Sequence, residues 1–192
     1  MRYIFLLIVT LFSATLFAQQ KQFTTDDDGK FIYYKVVDSQ KVSKGIIVQR
    51  TEDFVAAQKK SIKIVSATDS SVSAKGTLVI DKTVLVVGHP SGEVNYNLVV
   101  EARDGKYRFW LTDLKFIPYQ RDRYGNFVAT TTIGTPLEKK VDKLTASQWR
   151  DIQATTYAKI EKLGESLKAF LATDATVKQP TKPKETISTK KW

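Results

Sequence analysis

The order of apolar patterns along the chain predicts an α+β domain of two layers, an antiparallel sheet with its helices collected on one face. Three observations carry that prediction. Residues 94–116 hold two alternating runs on either side of Asp104-Gly105, the strongest short-range hairpin signal. Residues 145–171 place apolar side chains at three- and four-residue spacing, the stripe of an amphipathic helix. Between them and the first strand-like run at Phe31, the patterns read as strand, helix and further strands, giving the order β-α-β-β-β-β-α.

Taken in order, Met1-Arg2-Tyr3 is a short basic start and Ile4 to Phe17 an apolar run broken only by Thr10, Ser13 and Thr15. This is the layout of a secretory signal peptide. The run falls short of the ~20 residues that span a bilayer, so a leader cleaved after Ala18 is favoured over a retained anchor and no stable membrane span is expected. Residues 19–30 are polar and read as a flexible lead-in. Asp26-Asp27-Asp28-Gly29 invites a calcium reading, but the alternating ligands and the distant Glu of an EF-hand loop are missing, so a solvated acidic stretch is expected.

Phe31 to Val37 is rich in aromatic and β-branched residues and reads as the first strand. Ser43 suits an N-cap for a helix to about Lys60, with Ile47, Thr51, Phe54 and Val55 inward and Arg50, Glu52 and Asp53 towards water. Gly45 and the β-branched Ile46-Ile47-Val48 leave a strand there as the alternative. Ser61 to Ala67 and Val72 to Ile80 read as a pair of strands turned by Asp69-Ser70-Ser71, with Gly76 marking a bulge or bend. Val84 to Val87 continues the second of these or forms a short extra strand, and Gly88-His89-Pro90-Ser91-Gly92 has loop chemistry.

The hairpin register follows from a two-residue turn at Asp104-Gly105. Arg103 then faces Lys106, and Ala102/Tyr107, Val100/Phe109 and Leu98/Leu111 share an apolar face. Glu101/Arg108, Val99/Trp110 and Asn97/Thr112 share the other, mostly polar face, as in a sheet covered on one side. Beyond Thr112 the alternation changes phase. A one-residue bulge near Thr112-Asp113 would return Tyr96/Leu114 and Val94/Phe116 to the apolar face.

Residues 118–144 show no sustained period, with turn signals at Tyr124-Gly125-Asn126 and Gly134-Thr135-Pro136 and an edge strand suggested at Phe127 to Ile133. Thr145-Ala146-Ser147-Gln148 is a capping-box pattern that opens the last helix. Its stripe of Trp149, Ile152, Thr156, Ile160, Leu163, Leu167 and Phe170 is expected to dock on the sheet. The expected organisation is a signal peptide at 1–18, the lead-in at 19–30, one domain at 31–172 and a basic, Pro-containing disordered tail at 173–192.

Several chemistries are excluded by composition. There is no cysteine, which removes disulfides, thiolate nucleophiles, zinc-thiolate sites and a lipidated N-terminal cysteine. His89 is the only histidine, so multi-histidine metal sites are excluded as well. His89 lies among Gly and Pro without acidic or nucleophilic partners at motif spacing, and no G-x-S-x-G, P-loop or dinucleotide fingerprint occurs. Glu101 and Asp113 could act as an acid–base pair, but Glu101 opposite Arg108 is more simply a surface cross-strand pair. The charge of +10 is partly appendage, since Arg2 sits in the leader and residues 178–192 hold five Lys against one Glu. About +5 is left for the folded part, an ordinary solvated surface that implies no nucleic-acid partner.

The hairpin also carries a resemblance. Ala18-Gln19, Phe31 to Val37 before Ser43-Lys44, Ser71-Val72-Ser73-Ala74-Lys75-Gly76 and, above all, Glu101-Ala102-Arg103-Asp104-Gly105-Lys106-Tyr107-Arg108 occur in the order seen in a family of exported bacterial proteins, typical of Bacteroidota. That family is a domain of unknown function with a TBP-like fold. The resemblance covers residues 29–118 and, more loosely, the last helix. It implies a TBP-like fold and export, and it supplies no catalytic residues.

Together these readings imply an exported protein, periplasmic or extracellular, with no cofactor and no enzymatic activity. It would bind an unknown protein or small ligand of the cell envelope through the outer sheet face, where Val99, Arg108 and Trp110 are the candidate contact residues. The alternatives are that residues 119–144 fold across this face, that it closes a structural homodimer, or that an enzyme site surrounds His89.

Overall fold

The computed structural model describes residues 22–39, 42–84, 87–143 and 145–173, with the side chains of 82–84 and 87–89 excepted. The expected signal peptide and the expected disordered tail beyond Thr173 therefore lie outside the described residues. The elements are β1 (Thr24–Thr25), β2 (Phe31–Asp38), α1 (Lys44–Ala57), β3 (Ile62–Ala67), β4 (Ser71–Val84), β5 (Val87–Arg103), β6 (Lys106–Arg121), β7 (Phe127–Ala129), β8 (Thr135–Pro136) and α2 (Ala146–Ala172). All strand pairs are antiparallel, in the order β1-β2-β6-β5-β4-β3, with β7 and β8 also paired to β6. The expected β-α-β-β-β-β-α order is present, with three short strands added to it. No described helix is long and apolar enough to cross a membrane.

Alternation in β5 and β6 builds the core. Val94, Tyr96, Leu98, Val100 and Ala102 are buried on β5, and Tyr107, Phe109 and Leu111 on β6. Both helices cover this face, α1 with Ile47, Thr51, Phe54 and Val55, and α2 with Ile152, Thr156, Ile160 and Leu167. The cross-strand pairs are those expected from a turn at Asp104-Gly105, from Arg103/Lys106 out to Asn97/Thr112. The bulge is present too. Asp113 takes φ 56°, a left-handed conformation that Asp tolerates better than most residues. The register then resumes at Asn95/Lys115 and Val94/Phe116, with Tyr96 and Leu114 buried on the core side.

Several expectations need correction. Gly88 to Gly92 is strand, because the pairing of β4 with β5 runs on to Val84 opposite Val87. Pro90 is tolerated there since it sits where the register shifts between Ile80 and Asp81, the kind of irregularity that accepts a missing N–H. Gly92 serves packing instead of turning, because a Cβ would collide with the Ile117 carbonyl and the Phe116 ring. Gly76 likewise is no bulge: it leaves room for the Tyr96 ring that lies across it.

The lead-in is ordered from Gln22 onward. Asp26 Oδ1 accepts the N–H groups of Asp28 (3.0 Å) and Lys30 (2.8 Å), closing the turn between β1 and β2. Arg50 points inward, where its Nη1 donates to the Leu171 carbonyl at 2.6 Å, and so holds the last turn of α2. The capping box at Thr145 does not form. Thr145 Oγ1 donates backward to the Asp142 carbonyl at 3.2 Å, and the residue has φ −102° and ψ −5°, outside the extended N-cap conformation.

The stripe of α2 rotates slightly from expectation. Gly164 and Leu171 are buried, while Phe170 is 36 % exposed against the edge of Phe54. Gly164 brings the helix axis close to the sheet, since a Cβ there would stand 2.9 Å from Tyr33 and 3.2 Å from Phe109.

Candidate functional site

With one sheet face covered by helices, the side chains of alternate residues project from the other. One row across it runs Tyr34, Trp110, Val99, Ser73 on β2, β6, β5 and β4, and the next runs Val36, Arg108, Glu101, Ser71. The structure thus brings Val99, Arg108 and Trp110 together, as the hairpin register requires, and adds Tyr34 and Val36. These two were missed because nothing local tells which strand pairs with β6. The alternation of Tyr33 and Tyr34 was the available signal once that partner is known.

The centre of this arrangement is the Arg108 guanidinium. Its Nε donates to Glu101 Oε2 at 2.7 Å, and its Nη2 lies 2.6 Å from the same oxygen. The hydrogen bond to Glu101, with a smaller contribution from the Tyr34 hydroxyl, pushes the Arg108 pKa above its ordinary value. The guanidinium carbon stands 5.4 Å from the Trp110 ring centroid, a cation–π distance. Tyr34 meets Trp110 from the neighbouring strand with ring centroids 6.4 Å apart.

Trp110 is half-buried, while Tyr34 is 44 % and Val36 56 % exposed. A depression of about 240 Å³ opens beside them, lined by Tyr34, Val36, Glu101, Arg103, Lys106 and Arg108. Its three cations outnumber its one carboxylate, so the site suits an aromatic or anionic group and offers no acid–base pair.

The segment 118–143 does not lie across Trp110. Its strands take their partners farther along β6, β8 at Lys115 and Phe116 and β7 at Tyr119 to Arg121. Leu137 anchors it in the core, accepting the Trp149 Nε1–H at 3.1 Å and the Gln153 Nε2–H at 2.7 Å.

The remaining candidates are not assembled into a site. The backbone of His89 is in strand, opposite Lys82. Glu101 is taken by Arg108, and Asp113 by Lys115 at 3.0 Å and Lys30 at 3.8 Å. Among the described residues no group of three or more His, Cys, Asp or Glu could hold a metal ion.

Comparison with known proteins agrees with this architecture. Residues 33–117 match the model of a family described as a domain of unknown function (DUF4468) with TBP-like fold, so the resemblance read from the hairpin holds. A crystal structure of a DUF4468 family protein from Bacteroides ovatus superposes with TM-score 0.57 at 14 % identity, covering 79 % of this chain and 91 % of that one. A TBP-like protein from Parabacteroides distasonis superposes with TM-score 0.56 at 12 % identity, covering 76 % and 95 %. At such identities the likeness shows the fold, which is TBP-like and α+β. No curated protein matches the chain.

Proposed function

We propose that this TBP-like domain belongs to an exported cell-envelope protein that works by binding, with the outer face of its sheet as the recognition surface and Trp110 as the anchor. The observation that carries the reading is the outward cluster of Trp110, Tyr34 and Arg108, the residue types enriched at binding hot spots, on a face that no described segment crosses. The engagement of Glu101 and Asp113 in ion pairs favours binding over catalysis. Export is supported by the leader pattern of residues 1–18, and the occupant would be a protein or small ligand of the envelope. Fold alone supplies no function, so the reading rests on the face itself.

A second reading is a homodimer through the same face, favoured by the exposed apolar surface of Tyr34 and Val36. Trp110→Ala tests both. Capture of envelope components by the variant, compared with the parent chain, is expected to fall while the melting temperature changes little. Sedimentation would show a dimer dissociating if the second reading is right. A collapse of stability by several kcal/mol, as for a core residue, would instead make Trp110 part of the core and remove the recognition face.

A further inference from the structure

The outer face changes character along its strands. Away from Trp110, Lys63 and Lys75 stand directly opposite each other where β3 pairs with β4, and both are exposed. Like charges facing each other across two strands destabilise a sheet. Neither has an ion-pair partner among the described residues. The row continues through Asn97 to Thr112, and the next row holds Thr77, Asn95 and Lys115. A depression of about 510 Å³ is lined by Lys60, Lys63, Lys75, Asn95, Asn97 and Lys115.

One carboxylate enters the depression. Asp113 Oδ2 lies 3.0 Å from Lys115 Nζ and accepts from Asn97 Nδ2 at 3.4 Å. Lys30 is 3.8 Å from its other oxygen. Asp113 therefore answers Lys115 and leaves Lys60, Lys63 and Lys75 in excess.

We propose that this basic row binds the carboxylate or sulfate groups of an acidic polysaccharide whose chain runs along the outer face to Trp110. The inference rests on the reading of that face as a recognition surface and names its ligand class. Three features favour a glycan. The unneutralised Lys63–Lys75 pair calls for anionic groups on the ligand. Between the lysines and Trp110 lie Asn97, Thr112 and Ser73, whose amides and hydroxyls exchange hydrogen bonds with a hydroxyl-rich chain and bury little of an apolar protein side chain. Trp110 and Lys115 are separated along β6 by roughly 16 Å at about 3.3 Å per residue, a span that an extended polymer uses and a single small anion does not.

The test is binding of fluorescent polygalacturonate to the full chain, with neutral dextran, polyglutamate and single-stranded DNA as competitors. Polygalacturonate is expected to bind, to weaken as salt rises, and to be displaced by neither polyglutamate nor DNA at equal charge. The double variant Lys63→Gln/Lys75→Gln is expected to lose about tenfold in affinity with an unchanged or higher melting temperature, because it removes a repulsion. Arg150→Gln/Lys162→Gln, which removes the same charge from exposed positions on α2, is expected to bind like the parent.

Absence of polygalacturonate binding, equal competition by DNA or polyglutamate, or equal weakening by the α2 variant would overturn the proposal. If Lys63→Gln/Lys75→Gln binds normally while Trp110→Ala does not, the basic row fails and the recognition face survives. If neither variant changes binding, both fail.

Discussion

Phe109 and Trp110 are consecutive residues of one strand, and they face opposite environments. Phe109 is fully buried, between Tyr107 at a ring-centroid distance of 6.4 Å and Tyr33 at 6.3 Å, beneath α2 at Gly164. Trp110 projects from the other side among Tyr34, Arg108 and Val99. The core face is buried and mostly apolar, whereas the outer face mixes exposed aromatics, ion pairs and an unneutralised lysine pair. The lesson is that alternation lets one pair of strands carry stability and recognition on separate residues, so that the second can vary without rebuilding the first.

Substitution should separate the two faces sharply. Phe109→Ala is expected to cost about 3–5 kcal/mol in denaturant unfolding, the range for deleting a buried aromatic ring. A loss as small as that expected for Trp110→Ala would break the comparison. Alkaline unfolding should come next. Burial, with a smaller contribution from Glu165, pushes the Tyr107 phenol from 10.0 up to about 12, and burial does the same for Tyr33.

A phenol held neutral in the folded state stabilises fully below pH 10 and loses that contribution as pH rises towards 12. Phenolate absorbance from Tyr107 and Tyr33 should therefore appear together with the loss of circular dichroism. Ionisation of these core-face phenols in a still-folded protein would mean that the core face is open to water. The smallest effect is that of Trp110→Ala on stability, expected below about 1.5 kcal/mol, the worth of an aromatic pair, while binding falls.

Much of the fold was legible because it is local. The β5–β6 register, the phase change at Asp113 and the two helices follow from alternation, an Asp-Gly turn and helical spacing. What escaped were features set by distant partners. Gly92 and Gly76 look like turn or bend residues until the Phe116 and Tyr96 rings that fill their space are known. Arg50 reads as solvated until the Leu171 carbonyl, 121 positions along the chain, is placed beside it.

The candidate site divides the same way. Val99, Arg108 and Trp110 come from one hairpin and could be paired from the sequence. Tyr34 and Lys63 come from the strands at either side, and their places depend on sheet order, which no local pattern encodes.

The account turns on whether the outer face is open in the native protein. Hydroxyl-radical footprinting of the native protein measures this residue by residue. Trp110 and Tyr34 should be oxidised readily in the folded chain, while Phe109 and Leu111 on the same sheet stay protected until unfolding. Protection of Trp110 and Tyr34 to the level of Phe109 would show that the face is covered, and would contradict its use for recognition.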